Sequence, residues 1–201
     1  MISTTNKFKG FIVFFSLTIV MASCGSASTE DQAQESEYIA LDRLNIESLN
    51  QEIIEREKTL REDTLGVDPQ KAVALMEAYA VYVDRFPNRA SSAERLFKAG
   101  ELAMSLNHAV QSIKYFERVY NDYEDYEKRP YALFLKAFVL ENQAKEYEQA
   151  KLVYEDFLSQ YPDHPMADDA AYSVKNMGKS PEELIKEFER QDSIRAAQES
   201  A

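Results

Sequence analysis

A pattern that recurs every 37 or 38 residues runs through the body of this 201-residue chain. The pair Leu96-Phe97 is followed 37 residues later by Leu133-Phe134, and 38 residues after that by Ala171-Tyr172. A second register repeats at the same intervals, at Phe86-Pro87, Tyr123-Glu124 and Tyr161-Pro162. A period of this length is typical of repeat proteins, in which each unit buries its apolar face against its neighbours.

The composition favours helices throughout. The chain has only five glycines and no tryptophan, and Ala, Leu, Glu and Lys are abundant. Pairs of helices of about a dozen residues fit between the recurring marks, with inner turns at Asn107-His108 and at residues 144–146. The sequence therefore predicts an all-α fold of stacked helix hairpins, an α-solenoid, over residues 38–198.

The spacing inside these units resembles that of the tetratricopeptide repeat family, over residues 69–177. The third unit, which has one extra residue in its inner turn, carries the family's small, aromatic and proline positions at Ala137, Ala150, Tyr154, Phe157 and Pro162. The second unit, which lacks the proline, carries them at Gly100, Ser112, Phe116, Val119 and Glu124. The first unit offers only the later half, at Leu75, Tyr79, Tyr82 and Pro87. We expect Gly100 and Ala150 to let paired helices approach, and Phe116 and Tyr154 to fill the space between units.

Two further helices flank the repeats. Ile39, Ile46, Ile53 and Leu60 recur every seven residues and predict one helix over residues 38–63. This helix either packs on the domain as an amphipathic helix, which we favour, or joins copies of the chain as a coiled coil. Asp68 and Pro69 predict the start of the next helix. At the other end, Ser180-Pro181-Glu182-Glu183 predicts a capping box, and the helix that follows, with Leu184, Ile185 and Phe188 on one side, is expected to cap the stack.

The first two dozen residues have the parts of an export signal. Lys7 and Lys9 precede an apolar run over residues 11–22, which is shorter than the ~20 residues of a membrane-spanning helix. The segment Ala22-Ser23-Cys24-Gly25, with the only cysteine of the chain, resembles the lipobox of bacterial lipoproteins. The resemblance implies a signal peptide over residues 1–23, a fatty acyl (palmitate) anchor on Cys24 and a location in the bacterial cell envelope, at the outer membrane facing the periplasm. An ordinary cleaved signal, with Cys24 incidental, is the alternative.

Residues 24–37 are small, polar and acidic and predict a disordered tether. The whole chain has a formal net charge of −12, and loss of the two lysines in residues 1–23 would bring it to −14. This charge repels phosphates and disfavours binding to nucleic acid. It also gives no attraction to an anionic bilayer, so the lipid is the expected membrane anchor.

The sequence offers no catalytic centre. Its two histidines, His108 and His164, fall in loops and have no second ligand at metal-binding spacing. There is no glycine-rich phosphate loop and no nucleophile motif, and acidic pairs such as Asp168-Asp169 are expected on a solvated face. We therefore expect no cofactor, no metal site and no enzyme activity.

The family resemblance implies a protein-binding groove along the first helix of each pair. Ten groove residues are implied in this way: Glu94, Phe97, Glu101, Met104, Tyr131, Phe134, Phe138, Glu141, Asp169 and Tyr172. The aromatic residue that recurs in three units (Phe97, Phe134 and Tyr172) either forms the floor of the groove or packs between helices. The acidic balance of the chain favours a basic partner segment.

These observations predict a non-enzymatic adaptor that binds envelope proteins or peptides. Residues 157–170 resemble the repeat boundaries of BamD-like lipoproteins, which implies a role with the outer-membrane barrel-assembly machinery. A second hypothesis is a self-associating spacer, similar to the coordinator protein of the Tol-Pal system. A third is an accessory module of an envelope enzyme.

Overall fold

The computed structural model describes residues 37–62 and 66–199, which form helices joined by short turns. In chain order the helices are α1 (residues 37–42), α2 (Ile46–Arg61), α3 (Pro69–Arg85), α4 (Ser92–Ser105), α5 (Ala109–Asp122), α6 (Arg129–Val139), α7 (Tyr147–Gln160), α8 (Ala167–Asn176) and α9 (Pro181–Glu199). From α2 to α8, each helix packs on the next one along the chain. The predicted all-α stack of helix hairpins is confirmed. The predicted signal peptide, Cys24 and all of the tether except Glu37 lie outside the described residues.

The single helix predicted over residues 38–63 is wrong in one respect, because the chain breaks it into α1 and α2. Asn45 is the N-cap of α2 and has an extended backbone, with φ −70° and ψ 169°. Its side chain accepts a hydrogen bond from the Ser48 N–H at 2.8 Å. Asparagine is favoured at such a cap because it satisfies a backbone donor that the first helical turn leaves without a partner.

Helix α2 packs along its length on the chain's own domain. Leu49 and Ile53 are buried in the hydrophobic core. Arg56 lies between three elements, because its guanidinium donates to Glu37 in α1, to Glu52 in α2 and to the Ala74 carbonyl of α3, each at 2.7 Å. The packed amphipathic helix is therefore the arrangement found here, because the apolar face of α2 is buried against the rest of the same chain.

The predicted helix starts are confirmed. The Asp68 carboxylate accepts from the N–H groups of Gln70 and Lys71 at 2.9 and 3.1 Å, and Pro69 is the first residue of α3. Ser180 and Glu183 form the capping box, in which each side chain bonds the backbone N–H of the other residue, at 3.2 and 2.7 Å. These signals were predictable because they depend only on residues within one helical turn.

The close approach of α4 and α5 depends on Gly100. A Cβ atom at this position would lie 2.7 Å from Cε1 of Phe116, which is closer than such atoms approach one another. The Ser112 hydroxyl also donates to the Gly100 carbonyl at 3.0 Å, in a fully buried contact. The expected role of Gly100 is therefore confirmed, and Phe116 occupies the space that the missing side chain leaves.

The extra residue predicted in the third unit's inner turn takes the form of a π-helical turn. It covers Leu140–Ala144, directly after α6, and ends at Lys145 in the left-handed conformation, with φ 60°. The Glu146 N–H closes the turn on the Leu140 carbonyl at 2.9 Å. Wider turns of this kind accommodate one inserted residue, and they are frequent at functional sites.

Helix α9 covers the end of the stack less completely than predicted. None of its residues is buried, and Ile185 and Phe188 are exposed although they belong to its predicted apolar side. An ion pair between Lys179 and Glu187, at 2.6 Å, holds the start of the helix. The apolar end of the stack is therefore left open beside α8.

We expect Gly100→Ala to lower the free energy of unfolding by about 1–3 kcal/mol, because the new methyl group must displace the Phe116 ring. The sign of the change identifies its cause. Alanine by itself favours a helix over glycine by about 1 kcal/mol, so a loss of stability must come from the contact with Phe116. Urea denaturation followed by circular dichroism measures the change. A double-mutant cycle with Phe116→Leu is the control: the double variant should lose less than the sum of the two single losses. Additive losses would contradict the proposed contact.

Candidate functional site

The aromatic residues at the three equivalent positions differ in environment. Phe97 is 1% exposed and Phe134 is 6% exposed, whereas Tyr172 is 49% exposed. The Phe97 ring makes an edge contact with Phe116, with the ring centroids 5.6 Å apart, and a tilted contact with Tyr131, with the centroids 6.0 Å apart. Phe97 is thus a core residue, as in the alternative that the recurring aromatic packs between helices, and it does not line a groove as the family resemblance implied, because the rings of neighbouring helices cover it on both sides.

A groove of about 490 Å³ opens on the side of the stack formed by α6, α7 and α8, and we call it the C-terminal groove. Seven of the ten predicted groove residues line it: Met104, Tyr131, Phe134, Phe138, Glu141, Asp169 and Tyr172. The remaining lining residues are Leu135, Asn142, Tyr154, Met166 and Ser173. The structure therefore brings together in one concave surface residues that lie as far as 69 positions apart in the chain.

Local helix geometry explains how these side chains converge. The α6 residues of the lining fall at positions separated by three and four, which places them on one helical face. The π-helical turn then adds Glu141 and Asn142 to the same surface. Gln143 ties this turn to the end of α4, because its side-chain amide donates to the Met104 carbonyl at 2.8 Å. The groove wall is therefore held in place by hydrogen bonds as well as by packing.

The charged residues that line the C-terminal groove are Glu141 and Asp169, and both are acidic. Neither carboxylate forms an ion pair with a residue in the described part of the chain. The Tyr154 hydroxyl donates to Glu141 at 3.1 Å. Burial, with the negative charges of Glu141 and Asp169 added to it, raises the pKa of Tyr154 well above its ordinary value. The phenol therefore stays protonated and remains a hydrogen-bond donor in the groove.

A second cavity, of about 370 Å³, lies between α2, α3 and α4 and includes the predicted groove residue Glu101. Its other carboxylate, Glu57, accepts a hydrogen bond from the Tyr79 hydroxyl at 2.5 Å and one from Lys98 at 3.2 Å. Burial by itself raises the pKa of Glu57, but these two hydrogen bonds outweigh it and hold the pKa below its ordinary value. In this cavity the negative charge of Glu57 is matched inside the protein.

Glu94 has the same structural role one unit further along. It lies 37 residues after Glu57 and accepts hydrogen bonds from the Tyr126 hydroxyl and, at 3.2 Å, from Lys128. Burial opposes ionisation, but both hydrogen bonds lower the pKa of Glu94 overall. The prediction of Glu94 as a groove residue did not foresee this pairing, because its partners lie in the loop between α5 and α6. Glu94 fastens that loop to α4.

The histidines lie in loops, as expected. His164 packs edge-on against Phe157, with the ring centroids 5.3 Å apart, and its Nδ1 accepts from the Met166 N–H at 3.2 Å. Within residues 37–62 and 66–199, no group of three or more His, Cys, Asp or Glu side chains is arranged to hold a metal ion. No helix in the same ranges has both the length and the apolar character needed to cross a membrane.

A comparison with known protein families finds a match in the part of the chain that forms one wall of the C-terminal groove. Residues 131–164 match the family model of the tetratricopeptide repeat, and this stretch contains α6 from its third residue, the π-helical turn and α7. The chain thus contains a tetratricopeptide repeat within a stack of helix hairpins, and this repeat supplies one wall of the C-terminal groove. A search of curated proteins gives no match. Such repeats serve as scaffolds for protein–protein interaction, and no enzyme family is found for the chain.

The hydrogen bonds to Glu57 and Glu94 predict a stability that depends on pH. Because both pKa values are lowered in the folded state, their contribution is complete above the unfolded value of about 4.3. It is lost as the pH falls through the folded values. We expect Glu57→Gln and Glu94→Gln to lower the free energy of unfolding at pH 7, and this deficit to shrink at pH 3. Denaturant titrations at both pH values measure it.

Glu148→Gln, at an exposed residue of α7, is the matched control, and its stability should follow that of the unmodified protein at both pH values. An equal deficit of the two test variants at pH 7 and at pH 3 would contradict the assignment of the lowered pKa values.

Proposed function

We propose that this protein is a non-catalytic scaffold of the bacterial cell envelope that captures protein partners in the C-terminal groove. The observation that carries the proposal is the convergence of seven predicted groove residues, from three helices and the π-helical turn, on one concave surface. Exposed aromatic side chains on a preformed groove are the usual anchors of a protein interface. The tetratricopeptide repeat in the wall of the groove supports the same class of function.

The proposed location rests on the first residues of the chain. The basic start, the short apolar run and the Ala22-Ser23-Cys24-Gly25 segment together support export and lipidation at Cys24. A lipid at that position, followed by a polar segment, would hold the groove near a membrane surface. The resemblance of residues 157–170 to BamD-like lipoproteins makes assembly of outer-membrane proteins the process that we propose first.

The alternative of a self-associating spacer has less support. It requires a seam of apolar residues along residues 38–63 that faces another copy of the chain. Leu49 and Ile53 are instead buried against the chain's own core, and Asn45 interrupts the helix. A partner-binding groove accounts for exposed aromatic residues at the other end of the stack, whereas a spacer does not.

In-cell photo-crosslinking tests the groove. A photoreactive phenylalanine analogue at Phe138 or Tyr172, which are both exposed by more than a third, should crosslink to partner proteins. The double variant Phe138→Ala, Tyr172→Ala should reduce partner recovery by at least about tenfold, since anchor residues are worth about 1–2 kcal/mol each. Its free energy of unfolding should change by less than about 1 kcal/mol, because neither side chain belongs to the core.

The chain offers a matched control on the second helices of two units. Val110 in α5 is 78% exposed and Leu152 in α7 is 66% exposed, and neither lines the C-terminal groove. The double variant Val110→Ala, Leu152→Ala should recover partners as the unmodified protein does. Equal recovery by the groove variant and the control variant would overturn the proposed groove.

The lipid anchor predicts that Cys24→Ser moves the protein from the membrane fraction to the soluble fraction of the cell. Incorporation of a palmitate analogue, followed by mass measurement of the N-terminal peptide, should detect the lipid in the unmodified protein only. Cys24→Ala is the companion variant and should behave in the same way. A membrane-bound Cys24→Ser protein would contradict anchoring through this residue.

A further inference from the structure

We propose that the occupant of the C-terminal groove is a polypeptide segment in which a lysine or arginine lies beside an aromatic or large aliphatic residue. This inference rests on the proposed function and names the chemistry of its partner. Three observations support it. The C-terminal groove has an unmatched negative charge, and an exposed apolar anchor site lies beside that charge. Residues 25–36 of the chain contain neither a cationic nor a large apolar side chain.

The negative charge of the C-terminal groove is not matched inside the described protein. Glu57 and Glu94, in the earlier units, each accept hydrogen bonds from a tyrosine and a lysine. Glu141 accepts only the neutral Tyr154 hydroxyl among the described residues, and Asp169 forms no ion pair with them. Two carboxylates that line one groove attract a cation more strongly than either would alone. A guanidinium or ammonium group from a partner would supply the missing charge.

The apolar anchor site lies around Tyr172. This residue lines the C-terminal groove, an adjoining cavity of about 340 Å³ and a slot of about 110 Å³ between α8 and α9. Phe138 on one side and Phe188 on the other are also more than a third exposed. The two carboxylates attract a cationic side chain, and the exposed rings beside them do so as well, because the face of an aromatic ring attracts cations. A neighbouring aromatic or aliphatic side chain would fill the slot that α9 leaves open.

The chain's own polar segment and a second copy of the chain are both poorly matched in charge to the C-terminal groove. Residues 25–36 contain Glu30, Asp31 and Glu35 and no lysine or arginine, so this segment would be repelled by the groove. A second copy of the chain carries the same net charge of −12. The adjoining cavity includes Lys145 and Lys179. The Lys179 ammonium is paired with Glu187 at 2.6 Å, and Lys145 forms no ion pair with Glu141 or Asp169. Charge complementarity therefore favours a different polypeptide with a basic segment.

Selection from a random library of 12-residue peptides displayed on phage tests this inference, with the full-length lipidated protein in detergent as bait. The expected result is enrichment of lysine or arginine within two positions of an aromatic or large aliphatic residue. A selected peptide, made synthetically, should bind Glu141→Gln, Asp169→Asn about tenfold more weakly, since hydrogen bonds between charged groups are worth about that factor or more. Binding to the unmodified protein should also weaken with added salt.

The control is Glu148→Gln, Asp156→Asn, which removes two charges from α7 residues outside the groove. Equal weakening by both charge variants would overturn the assigned cation site, because only the net charge would then matter. Enrichment of acidic or purely apolar peptides that still crosslink at Tyr172 would overturn the partner chemistry and leave the proposed function intact. Peptides that bind the double variant Phe138→Ala, Tyr172→Ala as tightly as the unmodified protein would instead overturn the groove itself. Crosslinks from Tyr172 only to a second copy of the chain would overturn both.

Discussion

Contacts between aromatic rings join the successive helix hairpins, and the rest of the structure depends on them. Phe97 contacts Phe116 within its own unit and Tyr131 in the next one. Phe134 repeats the arrangement with Tyr154, at a ring-centroid separation of 5.6 Å. Each such pair contributes about 0.5–1.5 kcal/mol beyond the area that it buries. A single hairpin gains the ring contact within its own unit but not the contact with the next unit, so stacking stabilises each hairpin further.

The same dependence on neighbours decides which residues become a binding site. Leu60, Phe97, Phe134 and Tyr172 occupy equivalent positions at intervals of 37 or 38 residues. The members in the middle of the stack are covered from both sides and belong to the core. Tyr172 lies in α8, beyond which the described residues form one more helix, α9, and α9 buries none of its own residues. One repeated sequence position is therefore structural in the middle of the stack and exposed at its end.

Local signals were the predictable part of this structure. The caps at Asp68 and Ser180 and the close approach at Gly100 depend on residues within a few turns, and all three predictions are confirmed. Asn45 was missed because the seven-residue pattern around it continues without change across the break. The hydrogen bond from Tyr126 to Glu94 joins residues 32 positions apart, and no local pattern indicates it. The ten predicted residues divide between the core, the C-terminal groove, the second cavity and a contact with the loop after α5. This division likewise depends on position in the stack, which the family pattern does not contain.

The C-terminal groove lies where the sequence departs from the repeat pattern. This coincidence indicates that the departures contribute to the function of the groove. The inserted residue takes the form of the π-helical turn, and Glu141 and Asn142 of this turn line the groove. Glu57 and Glu94, in the earlier units, are paired with lysines, so this sequence is able to neutralise such charges where stability alone matters. An unmatched charge beside exposed rings at one end of an otherwise regular stack is a local conflict of the kind that proteins retain at binding sites.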